Sequence, residues 1–140
     1  MVPMSLKVPV PFEYVFPSGA LLVSVDPQVD FERRGQADEQ ARDKDTGERV
    51  WVVKVVDLDP QASRFGRSSE VKVKVVAPHQ PVSPASTVPG YPPSIVFEGL
   101  TITPYVDSQR CKATGQCKAR MAYSLRATGI APVASMPHAA

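Results

Sequence analysis

Two thiols, two histidines and a scatter of carboxylates are the side chains that could do covalent or metal chemistry, and their spacing argues against most of it. Cys111 and Cys117 lie in the segment RCKATGQCK. Five intervening residues are not the spacing of a zinc knuckle, and no second ligand pair follows. His79 stands in a proline-rich stretch and His138 near the C-terminus, so no metal site is expected. Lys112 and Lys118 beside the thiols favour the thiolate and could make them reactive; a disulfide across a hairpin is the alternative if the chain is oxidised. Asp57 and Asp59 could act as a carboxylate pair, but Pro60 follows directly, and a solvated junction between strand and turn is the better reading. A glycine-rich phosphate loop, a G-x-S-x-G elbow and a histidine beside a nucleophile are all missing. Neither catalytic residues nor a cofactor are expected, and the chain does not read as an enzyme.

The basic side chains remain. The net charge of +2 conceals an asymmetry: residues 1–60 carry 7 basic and 11 acidic side chains, residues 61–140 carry 9 basic and 3 acidic. A basic half can attract phosphates. An uneven but merely solvated surface is the competing explanation.

Whether those cations share a face depends on the elements that carry them. At 140 residues the chain is one domain's worth, and 43% apolar residues suffice for a core. Fifteen prolines exclude a helical bundle, because proline is barred from helix interiors. No apolar run approaches the roughly 18 residues of a membrane span. The N-terminus lacks the charged head and apolar block of a secretory signal, so a cytoplasmic protein with reduced thiols is expected.

The pattern predicts an extended proline-rich arm over 1–18 with room for one edge strand, a single β-barrel over 19–130 and a flexible tail over 131–140. Within the barrel, GALLVSVD closes at Pro27 as a strand. The stretch 28–42 fits a helix or a polar strand equally. Asp43 to Glu48 supplies the side-chain capping and the Gly47 positive φ of a tight turn. RVWVVKVVD is apolar on both faces, as a central strand is. EVKVKVVA alternates: Val71, Val73 and Val75 on one side, Glu70, Lys72 and Lys74 on the other. Residues 78–93, with six prolines, form a stiff connector. SIVFEGLTITPYV is a strand broken at Gly99, where a bulge or sharp bend is expected. ARMAYSLRA alternates again, with Met121, Tyr123 and Leu125 on one face. Strands that would leave open edges in so small a domain curl into a barrel. The fold class is mostly β: a small OB-like barrel, closed or partly open, of about five main strands, with a small β-sandwich as the alternative.

With the apolar faces inside, the outward set holds Lys54, Lys72, Lys74, Thr101, Thr103, Tyr105, Arg120, Ser124 and Arg126. Loops add Arg64, Phe65, Arg67, Arg110, Lys112 and Lys118. Cations neutralise phosphates and flat rings stack on bases, so this mixture suits single-stranded nucleic acid. The nucleic-acid-binding set is Lys54, Lys72, Lys74, Tyr105, Arg110, Lys112, Lys118, Arg120 and Arg126. Trp51 shares a face with Val53 and Val55 and reads as core rather than as a stacking platform. No helix-turn-helix pattern is present, which weakens major-groove reading. A protein adaptor, docking through the proline-rich connector or a strand edge, is the other non-enzymatic possibility.

Four stretches in order, VFPSGALLV, RDKDTGERVWVVKVVDLDP, FEGLTITPYVD and AYSLRATGI, resemble a family of small proteins from actinobacterial integrative plasmids, the plasmid replication, integration and excision activators. The resemblance spans residues 12–130 and rests on order and spacing rather than on one motif. It implies a cytoplasmic protein of a mobile element that supports replication, integration and excision. The resemblance gives a genetic role and not a mechanism: single-stranded DNA is the partner expected from the basic outward surface, alongside replication or recombination proteins of the same element, with promoter activation and protein adaptation as the alternative mechanisms. In the family pattern the loop after Tyr105 is short, so the Cys111–Cys117 segment reads as a local extension.

Overall fold

The computed structural model describes residues 6–62, 69–107 and 120–133, with Asp107 and Arg120 described by backbone pairing alone. It is mostly β, an eight-stranded sheet curled into a half-barrel. The strands are β1 Val8–Pro9, β2 Ala20–Pro27, β3 Val50–Asp57, β4 Glu70–Val76, β5 Ser94–Glu98, β6 Thr101–Asp107, β7 Arg120–Ala127 and β8 Gly129–Pro132. Their order across the sheet is β1-β6-β7-β4-β3-β2-β5-β8. All pairs are antiparallel except β4 with β7, which is parallel and only two residues long, Lys74↔Arg126 and Val75↔Ala127.

β2, β3 and β4 form a meander whose apolar alternation fixes its inner face. Val53, Val55, Val73 and Val75 are fully buried, as every second residue of two paired strands must be when one face meets a core. Trp51 is buried with them, and its indole N–H donates to the Ala77 carbonyl at 3.0 Å, which satisfies the one polar atom it carries inward. β2 keeps its inner face across an irregularity. Leu22 pairs with Val55 and Ser24 with Lys54, leaving Val23 as the extra residue. A bulge of one residue exchanges the two faces. Leu22 is therefore buried before it, Val25 packs on the core after it, and Val23 itself is exposed.

The same exchange occurs twice more, at one place in space. β5 continues into β6 through Gly99 and Leu100, and β7 continues into β8 through Thr128. Pairing runs on both sides of the bend: Glu98↔Gly129 below it, Thr101↔Arg126 above it. At the bend, the Thr128 N–H and hydroxyl both donate to the Glu98 carbonyl, at 2.8 and 3.1 Å. Gly99 has φ +61, and a Cβ there would lie 2.6 Å from Thr128 Oγ1. The expected break at Gly99 is thus a double bend shared by two strands. One arm of this bent hairpin meets β4 through β7, and the other meets β2 through β5. The core lies between them and the meander.

The N-terminal segment holds an edge strand, as the sequence allows, but it is more than an extended arm. β1 pairs with β6, and α1, one turn over Phe12–Val15, turns the chain inward. Phe16 is buried, and Phe12, Phe16 and Phe97 form a ring cluster with centroids 5.2 to 6.2 Å apart. Scattered prolines hid an apolar plug. At the other end β8 runs to Pro132, two residues into the expected tail.

Residues 28–49, between β2 and β3, are neither helix nor regular strand. They hold a 3-10 turn, Phe31–Arg33, and two isolated bridges, Val29↔Gln40 and Arg42↔Arg49. The tip is the expected tight turn. Asp43 accepts from the Thr46 N–H and hydroxyl at 3.0 and 3.1 Å, and Gly47 has φ +73. Residues 78–93 contain no strand, as expected. They run beside β2, whose pairing with β5 is confined to Ala20 and Leu21. The Gln80 side chain donates to the Val25 carbonyl at 3.1 Å, and Pro81, Pro92 and Pro93 flank Leu22–Val25. No helix is long and apolar enough to cross a membrane, among the described residues.

Two stability measurements check this description. Phe16→Ala should cost about 3–5 kcal/mol in urea unfolding; a loss below about 1 kcal/mol would mean residues 6–19 do not belong to the core. Gly99→Ala combines a left-handed backbone with a clash and should cost about 2–4 kcal/mol, against about 1 kcal/mol for Gly47→Ala, which has the same φ sign and open space. Equal losses at the two glycines would show that Thr128 does not pack as described.

Candidate nucleic-acid interface

The outer face of β3 and β4 sets three lysines side by side. Lys54 is directly across from Lys72, and Lys74 is across from Val52 and, on its other side, Arg126. Lys72 and Lys74 are exposed and Lys54 is half-buried. None of the three forms an ion pair with a described carboxylate. Like charges directly across a ladder cost roughly 0.2–1 kcal/mol, so folding alone gives no reason to place Lys54 opposite Lys72.

Beyond the short β4–β7 pairing the two strands diverge, because β7 follows β6 through seven paired positions while β4 stays with β3. The wedge between them is a shallow depression lined by Lys72, Lys74, Thr103, Ser124, Tyr105 and Tyr123. A second depression carries the surface onward under residues 28–45 and is lined by Phe31, Asp43, Lys74 and Arg126. Gln28, Lys74, Thr103 and Ser124 line both, so the two make one continuous groove.

The β2–β3 connection forms one wall, and it is built from ion pairs. Asp38 accepts from Arg49 at 3.1 Å and from Arg42 at 3.3 Å. Arg49 also donates to Gln40 Oε1 at 2.9 Å, while the Gln40 amide donates to the Val50 carbonyl at 3.0 Å. The hydrogen bond from Arg49 holds the Asp38 carboxyl below the usual carboxylate range. Asp43 points back into the groove, where its Oδ1 accepts from Arg126 at 3.1 Å; its side chain is only 8% exposed. Burial pushes this carboxyl up, but the Thr46 N–H and hydroxyl, with the charges of Lys7 and Arg126, outweigh that and leave it lowered.

The sequence-selected residues therefore divide. Lys54, Lys72, Lys74 and Tyr105 come together on one surface. Arg126 reaches the same groove but is tied to Asp43 rather than free for a phosphate, a correction to its reading as an outward contact. Arg120 is placed opposite Asp107 at the far end of the β6–β7 hairpin, by backbone only. Arg110, Lys112 and Lys118 lie outside the described residues, as do Cys111, Cys117, Arg64, Phe65 and Arg67. Met121 and Tyr123 do not share the burial of Leu125: each is 60% exposed, because this end of the hairpin projects past the core.

Three groove residues escaped the sequence reading. Tyr123 did so because alternation marks a face without marking where the core ends. Phe31 is an aromatic alone in the polar run QVDFERRG, a signal that was available. Asp43 was recognised as a turn residue, and nothing local pointed to a partner 83 positions away.

Comparison with known protein families, curated proteins and solved structures finds no match to this chain. The geometry is therefore the only guide to the site. Asp57 and Asp59 serve the strand end: Asp57 accepts from the Asp59 N–H and Asp59 from the Gln61 N–H, at 3.0 and 2.9 Å. Among the described residues no group of three or more His, Cys, Asp or Glu side chains is arranged to hold a metal ion.

A lowered folded-state carboxyl contributes stability above its unfolded value, and that contribution disappears as pH falls through the folded value. Asp43→Asn, which keeps an acceptor for Thr46 but loses the charge, should cost about 1 kcal/mol at pH 7. The gap to the parent should narrow as pH falls through the folded-state value of Asp43, which lies below the ordinary carboxylate range. Urea titrations at pH 7 and at a series of pH values descending below the ordinary carboxylate range read this directly, and a gap that does not narrow on acidification would rule out the Arg126 ion pair as its source.

Proposed function

We propose that this chain is a non-enzymatic DNA-metabolism accessory protein of a mobile element, binding single-stranded DNA along the β3–β4–β7 groove to support plasmid replication, integration and excision. The observation that carries the proposal is the row Lys54, Lys72, Lys74: three cations on neighbouring strands, unpaired with described carboxylates, of which Lys72 and Lys74 line a groove rimmed by hydroxyls and tyrosines. Phosphates spaced along a flexible strand supply the counter-charge such a row lacks, and release of their counterions supplies affinity. The genetic role rests on the four resembling stretches; a cytoplasmic site of action belongs to the same reading.

The finer fold assignment, a five-strand OB-like barrel, is part of this proposal. It is supported by counting β5–β6 and β7–β8 as one bent strand each. The pairings then run in a ring, β2 to β3 to β4 to β7–β8 to β5–β6 and back to β2. OB-type barrels bind single strands on the face of their second and third strands, helped by the loop between the first and second. By that count these are β3, β4 and residues 28–49, which line the groove together with β6 and β7. Eight segments are counted because each of the two bends divides a strand in two and β1 adds one more.

Fluorescence anisotropy with a labelled oligo-dT should show binding with Kd on the order of 10 µM at low salt, weakening steeply as salt rises. Lys72→Ala and Lys74→Ala should each reduce the slope of log K against log salt by about 0.7, the value for one phosphate on a single strand. Absence of binding at low salt would refute the proposal and favour the adaptor reading, for which Val82, Val88 and Tyr91 on the connector are the exposed apolar residues available. Sequence-preferring duplex binding would instead favour promoter activation.

A further inference from the structure

The groove has aromatic rings at both ends. Tyr105 and Tyr123 stand at the β6–β7 end, 49% and 60% exposed, and Phe31 stands at the other, 82% exposed. Neighbouring cross-strand pairs, Tyr105↔Ala122 and Pro104↔Tyr123, put the two tyrosines on opposite sides of the hairpin. Both still line the depression because it lies at the hairpin's edge, where β7 leaves β4. Phe31 is held by the 3-10 turn whose cap is Asp30, and the Arg34 guanidinium lies 5.2 Å above its ring. That cation covers one face of the ring and fixes its orientation.

Exposure alone does not single these rings out, since Tyr14 and Tyr91 are 81% and 68% exposed. Tyr14 and Tyr91 line neither depression of the groove, whereas Phe31, Tyr105 and Tyr123 all do, with Lys74 between the two ends. The charge at the Phe31 end fits the same account. Its carboxylates, Asp30, Asp43 and Asp45, each sit within 4.0 Å of a cation, Arg33, Arg126 and Lys7 respectively. They are neutralised in place, and an anionic strand meets the unpaired lysines rather than bare acid.

We infer that Phe31 and the Tyr105–Tyr123 pair are base-stacking platforms at the two ends of one groove. The groove then takes a single strand with its bases turned toward the protein and its phosphates along Lys72 and Lys74. This deepens the single-stranded DNA reading and rests on it. Paired bases keep their faces stacked inside a helix and cannot reach isolated rings, so the platforms select single strands over duplex. Rings accept any base face, so they carry no sequence preference.

An abasic oligonucleotide of the same length and charge as the oligo-dT separates stacking from phosphate contact. The parent protein should bind oligo-dT at least about fivefold more tightly than the abasic strand. Phe31→Ala and Tyr123→Ala should each lower oligo-dT affinity by about fivefold or more, while abasic affinity and the salt slope stay unchanged. Tyr14→Ala and Tyr91→Ala should change neither, and thermal melts of all four variants, at exposed positions, check that they fold. Equal binding of the two oligonucleotides, or a dT preference that survives both Phe31→Ala and Tyr123→Ala, would overturn the inference and leave single-stranded DNA binding standing. Failure to bind either strand at low salt would remove the binding reading itself.

Discussion

The bend shared by Gly99 and Thr128 governs the rest of the molecule. A three-strand meander with one apolar face cannot enclose that face unaided. The second hairpin does so because it is long enough to flank the meander twice and bent enough to reach both flanks. The bend needs a backbone that accepts φ +61 and a neighbour close enough to rule out a Cβ. Two hydrogen bonds to a single carbonyl, that of Glu98, lock it. It also exchanges the inner and outer faces of both strands at once, so Phe97 and Leu100 both point inward although three residues apart. The wedge between β4 and β7 follows from the same geometry: a hairpin committed to both flanks of the meander cannot lie parallel to β4 along its whole length.

Charge is distributed accordingly. Seven of the eleven carboxylates of residues 1–60 lie in the β2–β3 connection, where Asp38 and Asp43 gather Arg49, Arg42 and Arg126. The lysines of β3 and β4 have no such partners among the described residues. Among the described residues, the connection is therefore a wall of ion pairs beside the row Lys54, Lys72 and Lys74. Arg126 crosses this division. It belongs to the basic half by position and to the wall by contact.

Much of this was legible in the sequence because strands write their faces at a period of two. The valine–lysine alternation of β4, the two-sided apolarity of β3 and the break at Gly99 read directly, and so did Trp51 as a core residue. What did not read were features set by contacts between distant segments. The bulge at Val23 depends on pairing with Lys54 and Val55, and local composition carries no trace of it. Phe16 sits among prolines that suggest an arm, yet its burial is decided by Phe97. Residues 28–49 obey neither period because ion pairs and caps hold them rather than a repeating face. Tyr123 continues the alternation of Leu125 beyond the point where there is a core to face, and no strand pattern marks that point.

The proline-rich connector has one more consequence. β2 loses its second neighbour after Leu21, and a bare strand margin of that kind is an invitation to any passing extended chain. Prolines carry no amide hydrogen, so Pro81, Pro92 and Pro93 donate nothing to β2; instead the Pro93 carbonyl accepts from the Leu22 N–H at 2.9 Å and the Gln80 side chain donates to the Val25 carbonyl at 3.1 Å. The connector thus works as a selvedge: it finishes the fabric of the sheet on that side with single hydrogen bonds rather than with another strand.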